Sequence, residues 1–471
     1  MDKQDIPFLT ASQLSRLIAS KEVSPVEATQ AYLDRIEQLD GKLNSYITVT
    51  REQALKSAGE AERAIAAGGY LGPMHGIPVA VKDQFNTADI LTTGGSRILS
   101  EFVPLEDATV VAKLKESGAV LLGKLNMSEF AMAEIYDHPY GTPRNPWNLE
   151  RNPGTSSSGS GAATSAFLCA TSLGEDTGGS IRGPANNSGL VGLRPSWGRV
   201  SRHGVLGGSW SMDTVGPISR SVEDAAMTIQ AIAGHDPRDP YTWKTPVPNY
   251  LKALDGNIQG IKIGVIRDKV DSPLLDPEFH SAVTVALGVL GDLGPHFQDV
   301  SLPLTEQAGF ISMALILVEW ASVHRSTFEP NFQRLDHNNK YRFVTGTILP
   351  AQAYYKAQKL RAMLRQQILD ALEQVDVLVL PGSHVTARPV ESEPGLQSKE
   401  QIAAGMAGRI SFTGPFNLAG TPALTLPCGF SSDDTPMGLQ IVGKPFAEEM
   451  VLKVAHAYEQ NTDWHNRKPP I

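Results

Sequence analysis

The chain has 471 residues, 41% hydrophobic and 19% charged, and a formal net charge of −9. That length accommodates one large α/β domain or two to three ordinary ones, and the acidic balance argues against a general nucleic-acid binder, which presents a basic face. Two cysteines, Cys169 and Cys428, each in an apolar run, exclude a disulfide framework and read as buried thiols in a reducing compartment.

Residues 1–30 contain Asp2, Asp5, Lys21, Glu22 and Glu27 and lack the apolar centre of a signal peptide. The pattern Thr10-Ala11-Ser12-Gln13 predicts a capping box, and Ser24-Pro25-Val26-Glu27 predicts another with proline at the first helical position. Ala28, Tyr32, Ile36 and Leu39 then recur at helical spacing, so residues 1–70 are expected as a helical segment docked on the body. Ile77, Val79 and Val81 alternate with Pro78, Ala80 and Lys82, which predicts a strand that delivers Lys82 at its end. A helix over 107–117, with Val110, Val111 and Leu114 inward, and a buried strand over 119–122 follow. Strand, helix and strand in that order predict parallel β-α-β wiring. The alternation returns with a strand over 261–266, a helix over 277–293 capped by Asp276, a helix over 351–374, a strand over 377–380 and a last helix near 447–460. No stretch is read as a membrane span, because 308–318 is too short and ends at Glu319. Residues 236–254 and 386–401, rich in Pro, Asp and Glu, read as surface loops near a cleft. No period of 20–50 residues repeats, which excludes a solenoid. A cytoplasmic protein is expected.

The chemistry concentrates between Arg151 and Gly204. Two small-residue turns, 154–161 and 177–180, are separated by the apolar segment AATSAFLCATSLG. That segment excludes a flexible Gly/Ser linker, and glycines in both turns let backbone N–H groups approach a ligand closely. A serine hydroxyl needs a base to become a nucleophile. The run from Gly118 to Leu125 imitates a phosphate loop but lacks its Ser or Thr and lies in a strand. No G-x-S-x-G, H-E-x-x-H or C-x-x-C occurs, and His75 and His203 read as structural. No metal and no cofactor is expected, which leaves Lys82 as the economical base.

These residues are a resemblance as well as a chemistry. Lys82 after PVAVKD, Ser156 in GTSSSGS and Ser180 in DTGGSIR resemble the Ser–cis-Ser–Lys triad of the amidase signature family. The separation 180 − 156 = 24 is the family's usual one. The resemblance continues through GLVGLRPSWGRVSRHG, PFNLAGTPALTLPCG and GLQIVGKPF, nearly the whole chain. Thr155 and Ser158 stand where the family usually has glycine. The resemblance implies one domain over residues 1–471, an α/β/α sandwich around a large mixed, twisted β-sheet, and a cis bond before Ser156.

Burial at the strand end is expected to disfavour the ammonium of Lys82, whose ordinary pKa is ~10.4. Lys82 then takes a proton through Ser156 from Ser180, which attacks a carbonyl. The N–H groups of Thr177, Gly178, Gly179 and Ser180 are expected to receive the oxyanion, with Ser157, Asp176 and Arg182 in support. The family includes general amidases, aryl acylamidases, carbamate hydrolases and the glutaminase subunit of tRNA-dependent amidotransferases. Members of that last group usually carry an acid just before FT-x-P-x-NLAG, where this chain reads Arg409-Ile410-Ser411-Phe412-Thr413-Gly414-Pro415. The expectation is therefore a hydrolase of neutral aryl or alkyl amides, anilides or carbamates, working as a monomer or homodimer on a small molecule. Neither nucleic acid nor membrane is expected as a partner. Met127, Phe130, Met132, Ile135 and Tyr136 are candidates for its pocket. The alternative is the amidotransferase glutaminase subunit, with nucleic acid as a partner. A non-catalytic, partner-dependent subunit is a further one.

Overall fold

The computed structural model describes residues 2–132, 138–390, 400 and 408–471. The first six strands are β1 (Tyr46–Val49), β2 (Pro78–Lys82), β3 (Val120–Leu125), β4 (Thr171–Glu175), β5 (Val191–Arg194) and β6 (Val215–Ser219). The remaining five are β7 (Lys262–Ile266), β8 (His296–Val300), β9 (Val377–Pro381), β10 (Ala423–Phe430) and β11 (Pro436–Gly443). All eleven join one sheet in the order β1-β3-β2-β4-β6-β5-β10-β11-β9-β7-β8. The sheet is mixed: β2 runs parallel to β3 and β4, and β7 to β8 and β9, while β10 is antiparallel to β5 and β11. Parallel neighbours need a crossover, and the helices Thr109–Glu116 and Pro277–Asp292 supply it between β2 and β3 and between β7 and β8.

Strand β9 shows why helices cover both faces. Its side chains alternate: Val377 and Val379 join a core with Leu114, Ile229, Phe279 and Val454, whereas Leu378 and Leu380 join another with Leu315, Trp320, Leu364 and Phe416. A strand buried on both faces is apolar throughout rather than alternating, as VLVLP is. The sandwich expected from the sequence is the observed architecture.

Both expected capping boxes form, at Thr10 with Gln13 and at Ser24 with Glu27. Asp276 caps its helix by accepting from the backbone of Glu278 and Phe279. Two expectations need correction. The strand predicted over 119–122 continues to Leu125, because the charge of Lys124 is absorbed inside: its Nζ donates to Phe85 O at 2.8 Å and Thr92 Oγ1 at 2.6 Å and lies 3.3 Å from Asp83. The apolar run around 308–318 also extends further than read. With the preceding turn, Pro303–Val323 is one helix long and apolar enough to cross a membrane. Half of that span is buried, and its Glu319 accepts from Ser211 Oγ at 2.9 Å and Tyr354 Oη at 3.0 Å, contacts that fasten it to the protein.

The loop of residues 236–254 is fastened by Asp236, which accepts from Ser201 Oγ at 2.7 Å, and by Asp239, which accepts from the Arg202 N–H at 2.8 Å. Of residues 386–401, only 386–390 and 400 lie within the description.

A buried carboxylate ties the first N-terminal helix to the body. Asp224 accepts from the N–H groups of Ala11 and Ser12 at 3.0 and 2.8 Å, the free donors of a helix start. Asp224→Ala should therefore lower stability by roughly 2–4 kcal/mol in urea melts, from two lost charge-assisted bonds. Limited proteolysis should then cut first within residues 2–24.

Candidate active site

Strand β2 carries Lys82 into the interior, where the side chain is fully buried. Its Nζ donates to Ser156 Oγ at 2.8 Å and lies 3.7 Å from Glu175 Oε2. Burial lowers the Lys82 pKa from its ordinary value, against the opposing pull of Glu175, Asp213 and Asp176. The peptide bond between Thr155 and Ser156 is cis. Ser157 Oγ donates to the Glu175 carbonyl at 3.3 Å, which ties this turn to the end of β4. Gly154 sits at φ +93° with Pro184 so close that a Cβ would lie 2.5 Å from it, so this position requires glycine.

The second turn is organised by Asp176. Its Oδ1 accepts from Gly179 N at 2.7 Å and Asn417 Nδ2 at 2.6 Å, and its Oδ2 from Ile181 N at 3.2 Å and Arg182 Nε at 3.1 Å. Burial pushes the Asp176 carboxyl up, but the guanidiniums of Arg182 and Arg194 outweigh it and hold the group well below the usual carboxylate range. Gly179 is one of the expected oxyanion donors. Its N–H is committed to Asp176, because the carboxylate that shapes the turn draws that donor inward. Thr177, Gly178 and Ser180 keep N–H groups with no backbone or side-chain acceptor among the described residues. Gly179 is also sterically fixed, at φ +117° with Thr413 Oγ1 only 2.5 Å from any Cβ. Ser180 is 7% exposed. Among the described residues no hydrogen bond joins Ser156 to Ser180.

Met127, Phe130 and Met132, expected in the pocket, are all buried. Phe130 and Met132 belong to the apolar core around Trp320. The Phe130 ring lies 4.8 Å from that of Phe328 and its carbonyl accepts from Trp320 Nε1 at 3.1 Å. Ile135 and Tyr136 lie outside the described residues. Sequence reading missed Glu175, Asp213, Arg194, Asn417 and Gln440. Gln440 carried a signal, a polar residue within the apolar run PMGLQIVG of β11; it accepts from Arg182 Nη1 at 2.6 Å.

The sequence profile of the family described as Amidase matches residues 27–452. The chain belongs to the amidase family. The A subunit of the glutamyl-tRNA(Gln) amidotransferase of Geobacter metallireducens is 44% identical, over 98% of this chain and 99% of that protein. The corresponding A subunit from Thermotoga maritima has a solved structure that superposes with a TM-score of 0.81 at 32% identity, covering 97% of this chain and 96% of that one. The peptide amidase of Stenotrophomonas maltophilia superposes with a TM-score of 0.85 at 32% identity, covering 98% of both chains. This amidase is accordingly an enzyme that acts on amides. Relatives 38–44% identical along nearly the full chain are named amidotransferase A subunits, which overturns the expectation of a hydrolase of aryl or alkyl amides, anilides or carbamates. It also overturns the expectation of a small-molecule substrate without nucleic acid. The expectation leaned on one missing acid before Phe412, whereas Thr413 and Asn417 in that segment brace the Asp176 turn.

Asp176→Asn would leave two buried guanidiniums uncompensated, and should cost roughly 3–5 kcal/mol. The folded pKa of Asp176 is depressed, so its contribution is present above the ordinary carboxylate pKa of ~3.9 and is lost as pH falls below it. Thermal melts from neutral to acid pH should show a falling Tm in wild type, with a weaker slope in Asp176→Asn.

Proposed function

We propose that this amidase is the glutaminase (A) subunit of a tRNA-dependent amidotransferase, releasing ammonia from an amide donor for transfer to glutamyl-tRNA(Gln). The observation that carries the reading is 44% identity along essentially the full length of a protein of that name. A net charge of −9 fits a subunit that leaves the main phosphate contacts to its partners. The cytoplasm, where aminoacyl-tRNA is made, is its compartment.

In this reading Ser180 is the nucleophile, Ser156 the relay and Lys82 the base. The neutral amine of Lys82 takes the Ser156 proton as Ser156 takes that of Ser180. The Ser180 oxygen bonds to the amide carbon, and the oxyanion is received by the N–H groups of Thr177, Gly178 and Ser180, each donor worth about 2.7–4 kcal/mol of barrier. The proton returns through Ser156 to the nitrogen, which leaves as ammonia, and water hydrolyses the ester to a carboxylate. Burial of Lys82, supported by the 2.8 Å contact to Ser156, makes the amine available as a base.

Co-expressed with the partner subunits from its own genome, the chain should transfer the amide nitrogen of glutamine to glutamyl-tRNA(Gln), and Ser180→Ala should abolish the transfer. If the isolated chain turned over an anilide far faster than the complex uses glutamine, the reading would fail. Phosphonylation of Ser180 by a fluorophosphonate should accelerate with rising pH as the Lys82 ammonium is lost. Lys82→Arg should slow that labelling about 10²–10⁴-fold, because a guanidinium does not deprotonate.

A further inference from the structure

Behind Lys82 lies a second polar cluster that the proposed mechanism does not use. Glu175, at the end of β4, and Asp213, just before β6, are both buried, and Thr177 joins them. Thr177 Oγ1 lies 2.7 Å from Glu175 Oε1 and 2.8 Å from Asp213 Oδ1. A hydroxyl carries one hydrogen. It therefore donates to one carboxyl and accepts from the other, and a carboxyl donates only when protonated. The surroundings decide which of the two holds the proton. Asp213 accepts N–H bonds from Gly208 at 2.7 Å and Ser209 at 2.8 Å, both of which favour its ionised form. Beyond Thr177, the Glu175 carboxyl meets a long contact from Gln84 Nε2, at 3.5 Å, and Lys82 Nζ at 3.7 Å.

We propose that Glu175 is held as a neutral carboxylic acid, donating from Oε1 to Thr177 Oγ1, whose own hydrogen goes to Asp213. Among the described residues Lys82 is thereby left without an ionised carboxylate in direct contact and serves as a neutral base. Glu175 is a positioning residue: it acts through Lys82 and through Thr177, whose N–H is one of the oxyanion donors. Were Glu175 ionised, a fully buried carboxylate 3.7 Å away would hold Lys82 as an ammonium unable to take the Ser156 proton. The other charges facing Glu175 agree. Asp176 is neutralised by Arg182 and Arg194; at Asp213 burial pushes the carboxyl up, opposed by the Arg202 charge and by the N–H groups of Ser209 and Gly208. Burial, Asp213 and Asp176 all raise the Glu175 pKa, against Lys82 and Thr177. When Lys82 accepts a proton during acylation, Glu175 keeps its own, and the new ammonium balances the oxyanion.

The proposal rests on Lys82 as the base for Ser180, so one readout is independent of that reading. In the infrared spectrum, Glu175→Gln should remove the C=O band of one protonated carboxylic acid present in wild type at neutral pH. The second readout is the acidic limb of the pH profile for fluorophosphonate labelling of Ser180. Glu175→Gln should leave its midpoint within about 0.3 pH units, since neutral Gln replaces a neutral acid. Asp213→Asn should raise the midpoint by about 1–3 units, because Glu175 then ionises beside Lys82, and adding Glu175→Gln should reverse that rise. Two results would overturn the proposal: no protonated-carboxyl band lost in Glu175→Gln, or a midpoint that falls by a unit or more in that variant. The Glu175→Gln arms decide the matter even if Asp213→Asn does not fold. A wild-type profile with no acidic limb would refute Lys82 as the base, while the infrared band still reports on Glu175.

Discussion

The buried Asp176–Arg182 pair is the constraint on which the rest of the site depends. Arg182 is fully buried and meets Asp176 Oδ1 and Oδ2, the Thr413 carbonyl, Gln440 Oε1 and Asn417 Oδ1 at 2.5–3.1 Å. Desolvating an ion pair is costly and is offset only when geometry and donor satisfaction are complete; here the guanidinium fork is matched on every side. The same contacts join the DTGGSIR turn to β11 and to the helix Arg409–Ala419, more than 230 residues later in the chain. The turn is thereby rigid, and a rigid turn is what aims backbone N–H groups.

Two buried networks meet at the end of β4 and differ in what their cations can do. Arg182 and Arg194 cannot give up a proton, so Asp176 beside them is a fixed anion. Lys82 can, and the carboxyl in contact with it is Glu175 rather than Asp176. Adjacent residues Glu175 and Asp176 consequently carry opposite pKa shifts, one raised by burial and the other lowered by guanidinium. One network is fixed in charge, and the other contains groups that can exchange a proton.

The reacting core and the choice of substrate are separable. A peptide amidase and an amidotransferase A subunit both superpose on this chain along nearly their whole length, as expected when function is grafted on a shared fold. Inferring the substrate from one absent acid in residues 409–415 failed because one position weighs little between subgroups that share a fold. Full-length identity samples every segment at once.

Local pattern alone determined the elements with local causes: the capping boxes at Thr10 and Ser24, the alternating strand ending at Lys82, the helix over 351–374 and the family-like turns around Ser156 and Ser180. The capping boxes, the strand and the helix depend on neighbours within a few residues, the range that periodicity and capping report, whereas the turn around Ser180 was legible by its motif and is braced by distant Asn417 and Gln440. Tertiary structure decided the rest. Lys124 lies inside a strand because Asp83, Phe85 and Thr92 receive its charge. Phe130 is core because Trp320 and Phe328, some 190 residues away, close over it. Gly179 turns its N–H to Asp176, and Glu175 meets Asp213 through Thr177. Burial and charge balance arise only when distant segments exclude water together, and no local pattern carries that information.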